Sequence, residues 1–318
     1  MKKKSPSIWS KKFLFIRANR SPSTKTILMR VTCRVNQRCL KTSHTSFDDL
    51  SKVFLYAHRK SHATITYNIH EATKGDGNLV AMLAAIGYDL RSRYNRLDIG
   101  PKKYGYNRIR IEETLFGYIL KTFEFHRLPH YSSATPVQIF RPSDYHRFDE
   151  YVVKSLIRED WKEGFPVHYW LRIKYFLRQL FKNSAKYSGN GSPIFLSSCF
   201  KNNMLQITIA DCGLGFLKSI SSEQHDIRTE EEAIRWAMMR RKKNSCHAKQ
   251  WRSLTALGHY CKGNGGYLKI VSQTASVDFD PLNKYHSARL SAPFPGTVIN
   301  FAVKIRRQKF ESQLSVAA

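Results

Sequence analysis

The chain has 318 residues, enough for more than one domain, and 42% are hydrophobic and 13% aromatic, which supplies packed cores and excludes wholesale disorder. Lysine and arginine number 53 against 24 aspartates and glutamates, a formal net charge of +29; the commonest counterion for such a surface is nucleic acid, with an anionic membrane second. No apolar run approaches the length of a membrane-spanning helix, and the six cysteines form no C-x-x-C pair, so a reduced, cytoplasmic compartment is expected.

Residues 1–47 contain no acid; Asp48 is the first. Lys2, Lys3, Lys4, Lys11, Lys12, Arg17 and Arg20 crowd the start, and "IWSKKFLFI" sets aromatics among them. Three roles fit a basic, flexible arm over 1–45: a nucleic-acid contact, an organelle transit peptide, which would change the compartment, or a solubilising tail. "TILMRVTCRV" (26–35) reads as a first strand. From residue 46 the pattern is regular. "FDDLSKVFLYAHR" reads as a helix with Asp48 or Asp49 near its start, and "ATITYNI" (63–69) as a strand. "GDGNLVAMLAAIGYDLRSRYN" carries Leu79, Met82, Leu83, Ile86 and Leu90 at helical spacing. "RLDI" reads as a strand and "IEETLFGYILKTF" as a helix. Strand and helix alternate, which predicts a small α/β domain over 46–145.

A second domain is expected over 146–308, with a tail at 309–318. "ATPVQIF" (134–140) reads as a strand or linker before it, and "RPSDYHRFDEYVVKSLIRED" as a turn and helix. "PVHYWLRIKYFLRQLFKNSAKYSG" is the strongest helix: Trp170, Ile173, Leu177, Leu180 and Ser184 share one face, and Gly189 ends it. "PIFLSSCF" and "MLQITIAD" read as strands joined by Lys201-Asn202-Asn203. "EEAIRWAMMRRKK" reads as a helix with acid first and base last. "GGYLKIVSQ", "HSARLSA" and "GTVINFAVKI" supply three more strands.

One ordered set carries chemistry. Asn183 lies near the end of the long helix, and two strands later comes Asp211-Cys212-Gly213-Leu214-Gly215. An aspartate at a strand end can accept the exocyclic amine of adenine, and Gly213 and Gly215 permit close backbone approach. An asparagine oxygen can complete a magnesium shell that also holds phosphate oxygens. Cys246-His247 and His259-Tyr260-Cys261 lack the ligand spacing of a zinc module.

Residues 165–305 resemble the GHKL, or Bergerat-fold, ATP-binding domain of histidine kinases, anti-sigma serine kinases, type II topoisomerases and MutL. "NSAKYS" is similar to its N-box and "DCGLG" to its G1 box; "GNGGYLKIVSQ" and "GTVINFAVKI" are similar to its closing strands. The resemblance implies a two-layer α/β sandwich holding ATP or ADP with magnesium. It assigns magnesium to Asn183, adenine to Asp211 and a place beside the base to Thr297. "GDGNLVAMLAAIGYDL" and "ILKTFEFHRL" resemble helices of STAS-like domains, which implies a module for a protein partner. STAS-like modules ahead of GHKL modules occur in bacterial ATP-binding proteins.

Two departures stand out. The family's hydrolysing members carry a glutamate four residues before the N-box asparagine. Gln179 stands there, and an amide is no general base. The lid's glycine-rich segment is replaced by "HAKQWRSLTALGHY", where Gln250, Trp251, Arg252 and Ser253 crowd the phosphate tail unless Lys249 or Arg252 serves as its ligand. Arg240, Arg241, Lys242 and Lys243 precede this segment, and Trp251 interleaves with its cations, a pattern that suits either a triphosphate or a nucleic-acid backbone. A single His168 within the long helix does not make a sensor kinase. Three functions follow as expectations: an adenine-nucleotide-binding regulator in a nucleic-acid-associated complex, a nucleic-acid-binding scaffold that has lost ATP, or an active ATPase or kinase with a substitute base.

Overall fold

The computed structural model describes residues 30–34, 39–68, 74–100, 135, 137–156, 167–189, 191–221, 226–239, 248–279 and 286–305. The basic arm before residue 30, the helix expected over 111–123, the cluster 240–247 and the tail lie outside the described residues.

The N-terminal half alternates strand and helix. Strands β1 (Arg30–Arg34), β3 (Thr64–Asn68) and β5 (Arg96–Gly100) form a parallel sheet in that order, with β2 (Cys39–Leu40) and β4 (Lys74–Gly75) as a short separate ladder. Helix α1 (His44–His58) follows β1, and α2 (Val80–Ser92) follows β3. The sequence places Asp48 or Asp49 near the start of α1. The helix begins a turn earlier because the Ser43 side chain accepts from the Ser46 amide and caps it. Asp48 is then used elsewhere: its carboxylate accepts from the Ser291 amide at 2.5 Å and the Ser291 hydroxyl at 3.0 Å, across the molecule.

The C-terminal half is built on a seven-stranded antiparallel sheet. Its strands are β6 (Gln138–Phe140), β7 (Ile194–Lys201), β8 (Met204–Asp211), β9 (Tyr267–Ser272), β10 (Ala275–Asp278), β11 (His286–Arg289) and β12 (Thr297–Lys304). They lie in the order β11-β10-β9-β12-β8-β7-β6. The β7–β8 hairpin closes through Asn202 and Asn203, with φ of 53° and 58°; asparagine tolerates the left-handed pair that such a turn requires. Among the described residues, five helices accompany the sheet: α3 (Tyr145–Lys154), α4 (Val167–Tyr187), α5 (Gly215–Ile220), α6 (Glu230–Met239) and α7 (Ala248–Gly263). Together the parallel sheet, the antiparallel sheet and the helices make an α/β (α+β) fold.

Period-two alternation sends side chains to both faces of the large sheet. Ile194, Leu196, Leu205, Ile207, Ile209, Phe301 and Val303 join one core with residues of α3, α4, α6 and α7. Phe195, Cys199, Ala210, Val271 and Val298 join a second core with α1 and α2. The two-layer sandwich implied by the resemblance is thus not the whole architecture, because a third layer lies on the back of the sheet. The cause is α2, whose residues from Val80 to Gly87 are all buried. A helix that is apolar all round must be covered all round, and α2 touches β5 as well as β7 and β8. Polar contacts fix the seam. Asn78 Nδ2 donates to Thr208 Oγ1 at 3.3 Å, and Ser197 Oγ donates to the Asn78 carbonyl at 2.8 Å.

Candidate functional site

Asp211 ends β8, in register with Thr297 of β12 and Ile194 of β7. Only 5% of it is exposed. Three donors hold its carboxylate: the Ser184 hydroxyl from α4, the Gly213 amide at 3.0 Å, and the Thr297 amide. Burial outweighs these donors and pushes the carboxyl from 3.8 up to about 6. A carboxylate offers about four acceptor positions, more than these donors use.

Glycines let three chain segments meet here. A Cβ on Gly213 would lie 2.6 Å from the Tyr187 carbonyl oxygen at the end of α4, and one on Gly296 only 2.1 Å from the Asp211 carbonyl oxygen. Gly215 has φ of +79°, and a Cβ there would meet Gln273, Glu230 and Ser272 within 3.0 Å. The Leu214 amide donates to Tyr187 O at 3.1 Å. The glycine loop is thus sewn to the helix that carries Asn183.

Asn183 and Gln179 are half-buried one turn apart on α4. Asn183 precedes Ser184, whose hydroxyl holds Asp211, so Asn183, Asp211 and Thr297 come from three neighbouring elements. Helix α4 contains no Asp or Glu, so no carboxylate on it can act as a general base beside Asn183. Glu230 is buried and engaged: its Oε2 accepts from the amides of Phe216 at 3.1 Å and Leu217 at 3.2 Å, and from the Ser272 hydroxyl at 2.7 Å. An asparagine oxygen suits magnesium only together with phosphate oxygens, and no group of three His, Cys, Asp or Glu among the described residues could hold a metal.

The region expected to be a glycine-rich lid is helical from Ala248. Lys249, Trp251 and Arg252 lie on the first two turns of α7. Arg240, Arg241, Lys242 and Lys243 lie outside the described residues, as do Lys2, Lys3, Lys4, Lys11, Lys12 and Arg17. His168 is exposed near the start of α4 and, with Arg172 and Tyr175, lines a cavity of about 490 Å³. Cys212 faces the back layer and donates its thiol to the Ala85 carbonyl of α2 at 3.2 Å. Burial, reinforced by Asp211 and Asp89, raises that thiol well above its ordinary value.

The role of Ser184 was visible only as a polar residue on an apolar helix face, a position that demands a buried partner. Glu230 and Ser272 gave no signal of their own. No described helix is long and apolar enough to cross a membrane. No family model matches the chain, and no curated protein matches it.

Proposed function

We propose that the chain is an adenine-nucleotide-binding regulatory protein that does not turn ATP over efficiently and acts within a nucleic-acid-associated complex. The buried Asp211 carboxylate carries the reading: it sits at a strand end in register with Thr297 and is held by the Gly213 amide of the glycine loop. In this reading the carboxylate accepts the exocyclic amine of adenine. Asn183 completes the shell of a magnesium ion held mainly by phosphate oxygens, and Lys249 or Arg252 serves the phosphate tail where the glycine-rich lid is missing. Further support comes from the order of elements: helix with Asn183, strand, strand ending in Asp211, helices, and four closing strands, the last starting at Thr297. Gln179 and an acid-free α4 leave water without an activating base there. The Cys212–Ala85 contact joins the pocket loop to the N-terminal layer, the module through which nucleotide state would reach a protein partner.

Calorimetric titration of ATP and ADP with magnesium, on protein stripped of nucleic acid, tests this. Binding that disappears in Asp211→Ala supports it, and no heat at millimolar ATP refutes it. One observation favours the scaffold reading instead: Glu230 already saturates the Phe216 and Leu217 amides behind the glycine loop. That reading requires salt-dependent nucleic-acid binding with no response to ATP.

A further inference from the structure

Two loops leave the same edge of the small parallel sheet: 59–63 between α1 and β3, and 93–95 between α2 and β5. Buried Asn95 ties them together. Its Oδ1 accepts from the Ala63 amide at 3.0 Å, and its Nδ2 donates to Lys60 O at 2.8 Å and Leu90 O at 2.9 Å. Each loop holds a bulky residue in the left-handed region, His62 with φ of 54° and Tyr94 with φ of 61°. This conformation is uncommon for such side chains. Its result is a parallel stack: the two rings lie 5.3 Å apart with 12° between their planes.

The stack is not there to be buried. Tyr94 is 77% exposed and His62 is exposed. Around it stand exposed Arg59, Arg91, Arg93 and Arg96 and half-buried Lys60. Neither 58–62 nor 91–96 contains an acid; Asp89 lies beside them, 3.0 Å from Arg93 Nε. Favourable placement at helix C-termini explains Arg59, Arg91 and Arg93, but it does not explain two aromatic rings on left-handed residues held parallel in solvent.

We infer that this edge binds single-stranded nucleic acid. An unpaired base stacks on the Tyr94–His62 pair, and the surrounding guanidinium groups hold the flanking phosphates. Only an unpaired base offers its face to a ring, and stacking of this kind tolerates any sequence. A lipid surface would reward apolar area, whereas this edge presents a stacked pair ringed by cations. The inference rests on the nucleic-acid part of the proposed function and is independent of the adenine pocket.

The test is fluorescence anisotropy with the full chain, stripped of nucleic acid, against a labelled oligouridine, the matching DNA strand and a duplex of equal length. Tyr94→Asn removes the ring with a residue that accepts left-handed backbone; Tyr94→Phe keeps the ring. The inference predicts single strands bound in preference to duplex and Tyr94→Asn weaker by about ten- to a hundredfold. Tyr94→Phe should stay close to wild type, and Arg91→Gln should lower the salt slope by about one. Matching circular dichroism and unfolding midpoints separate loss of the ring from loss of the fold. Wild-type binding unaffected by Tyr94→Asn overturns this site but leaves the nucleic-acid reading intact. No wild-type binding to any strand overturns both. Binding to phosphatidylserine vesicles, but not to strands, that falls in Tyr94→Asn makes the edge a membrane surface and also overturns the inference. Retention of strand binding by Asp211→Ala separates this site from the adenine pocket.

Discussion

Replacing Asp211 by asparagine should stabilise the protein at neutral pH. The carboxyl titrates near 6 in the folded chain against an ordinary 3.8. A raised acid binds more protons folded than unfolded between those values, so stability falls as pH rises through that window and stays low above it. A shift of about two units corresponds to ~3 kcal/mol once the group is ionised. Asparagine removes the charge but keeps an amide oxygen for the Gly213 amide, and the Ser184 hydroxyl can turn to accept from its nitrogen. Weaker neutral hydrogen bonds offset about 1 kcal/mol of the gain. The net expectation is a variant roughly 1–3 kcal/mol more stable than wild type at about pH 7.5, with the advantage gone by about pH 4. Urea denaturation of both proteins at the two pH values reads this directly. A stability difference that does not change with pH refutes the argument, because then no ionised carboxylate is being buried at a cost. The same variant should bind ATP worse, since its amide nitrogen cannot accept the adenine amine. A stabler protein that loses binding is expected where a site retains a costly group for its ligand.

Gly296→Ala should destabilise the protein and abolish nucleotide binding, because its Cβ would lie 2.1 Å from the Asp211 carbonyl oxygen; thermal unfolding and calorimetry check both. Leu83→Ala in α2 should cost about 2–5 kcal/mol and lower the midpoints seen by tryptophan fluorescence and circular dichroism together. Trp170 and Trp236 pack on the opposite core, so a tryptophan transition that stays in place would show that the layers unfold independently. Cys199, Cys212 and Cys261 should resist iodoacetamide at pH 8 in the folded protein and react after unfolding, since burial raises the Cys212 and Cys261 thiols and hides Cys199; mass spectrometry of labelled peptides decides.

Most strands and the long helix of the C-terminal half were legible because their patterns are strong: β8 alternates from Leu205 to Ile209, and α4 keeps one apolar face from Ile173 to Ser184; β10, α5 and α7 were not read from the sequence. The third layer had a signal that reading helix by helix does not use. "VAMLAAIG" is apolar on every side, and β7 is buried at six consecutive positions; both patterns require cover on two faces. Order in the sequence paired Asn183 with Asp211, and the resemblance added Thr297. Neither revealed Ser184 as the donor holding Asp211, or Glu230 behind the glycine loop, because both contacts join residues far apart in the chain. The Tyr94–His62 stack was hidden for the same reason: nothing in "RSRYN" or "RKSH" declares a left-handed backbone.

The account turns on whether Asp211 receives adenine. Isothermal titration of the nucleic-acid-free chain with MgATP and MgADP, beside Asp211→Ala and Asp211→Asn shown to be folded by circular dichroism, tests it most directly. Saturable binding by wild type that is lost in both variants is the predicted result; a wild-type chain that takes up neither nucleotide, or variants that bind as well as it does, would contradict it.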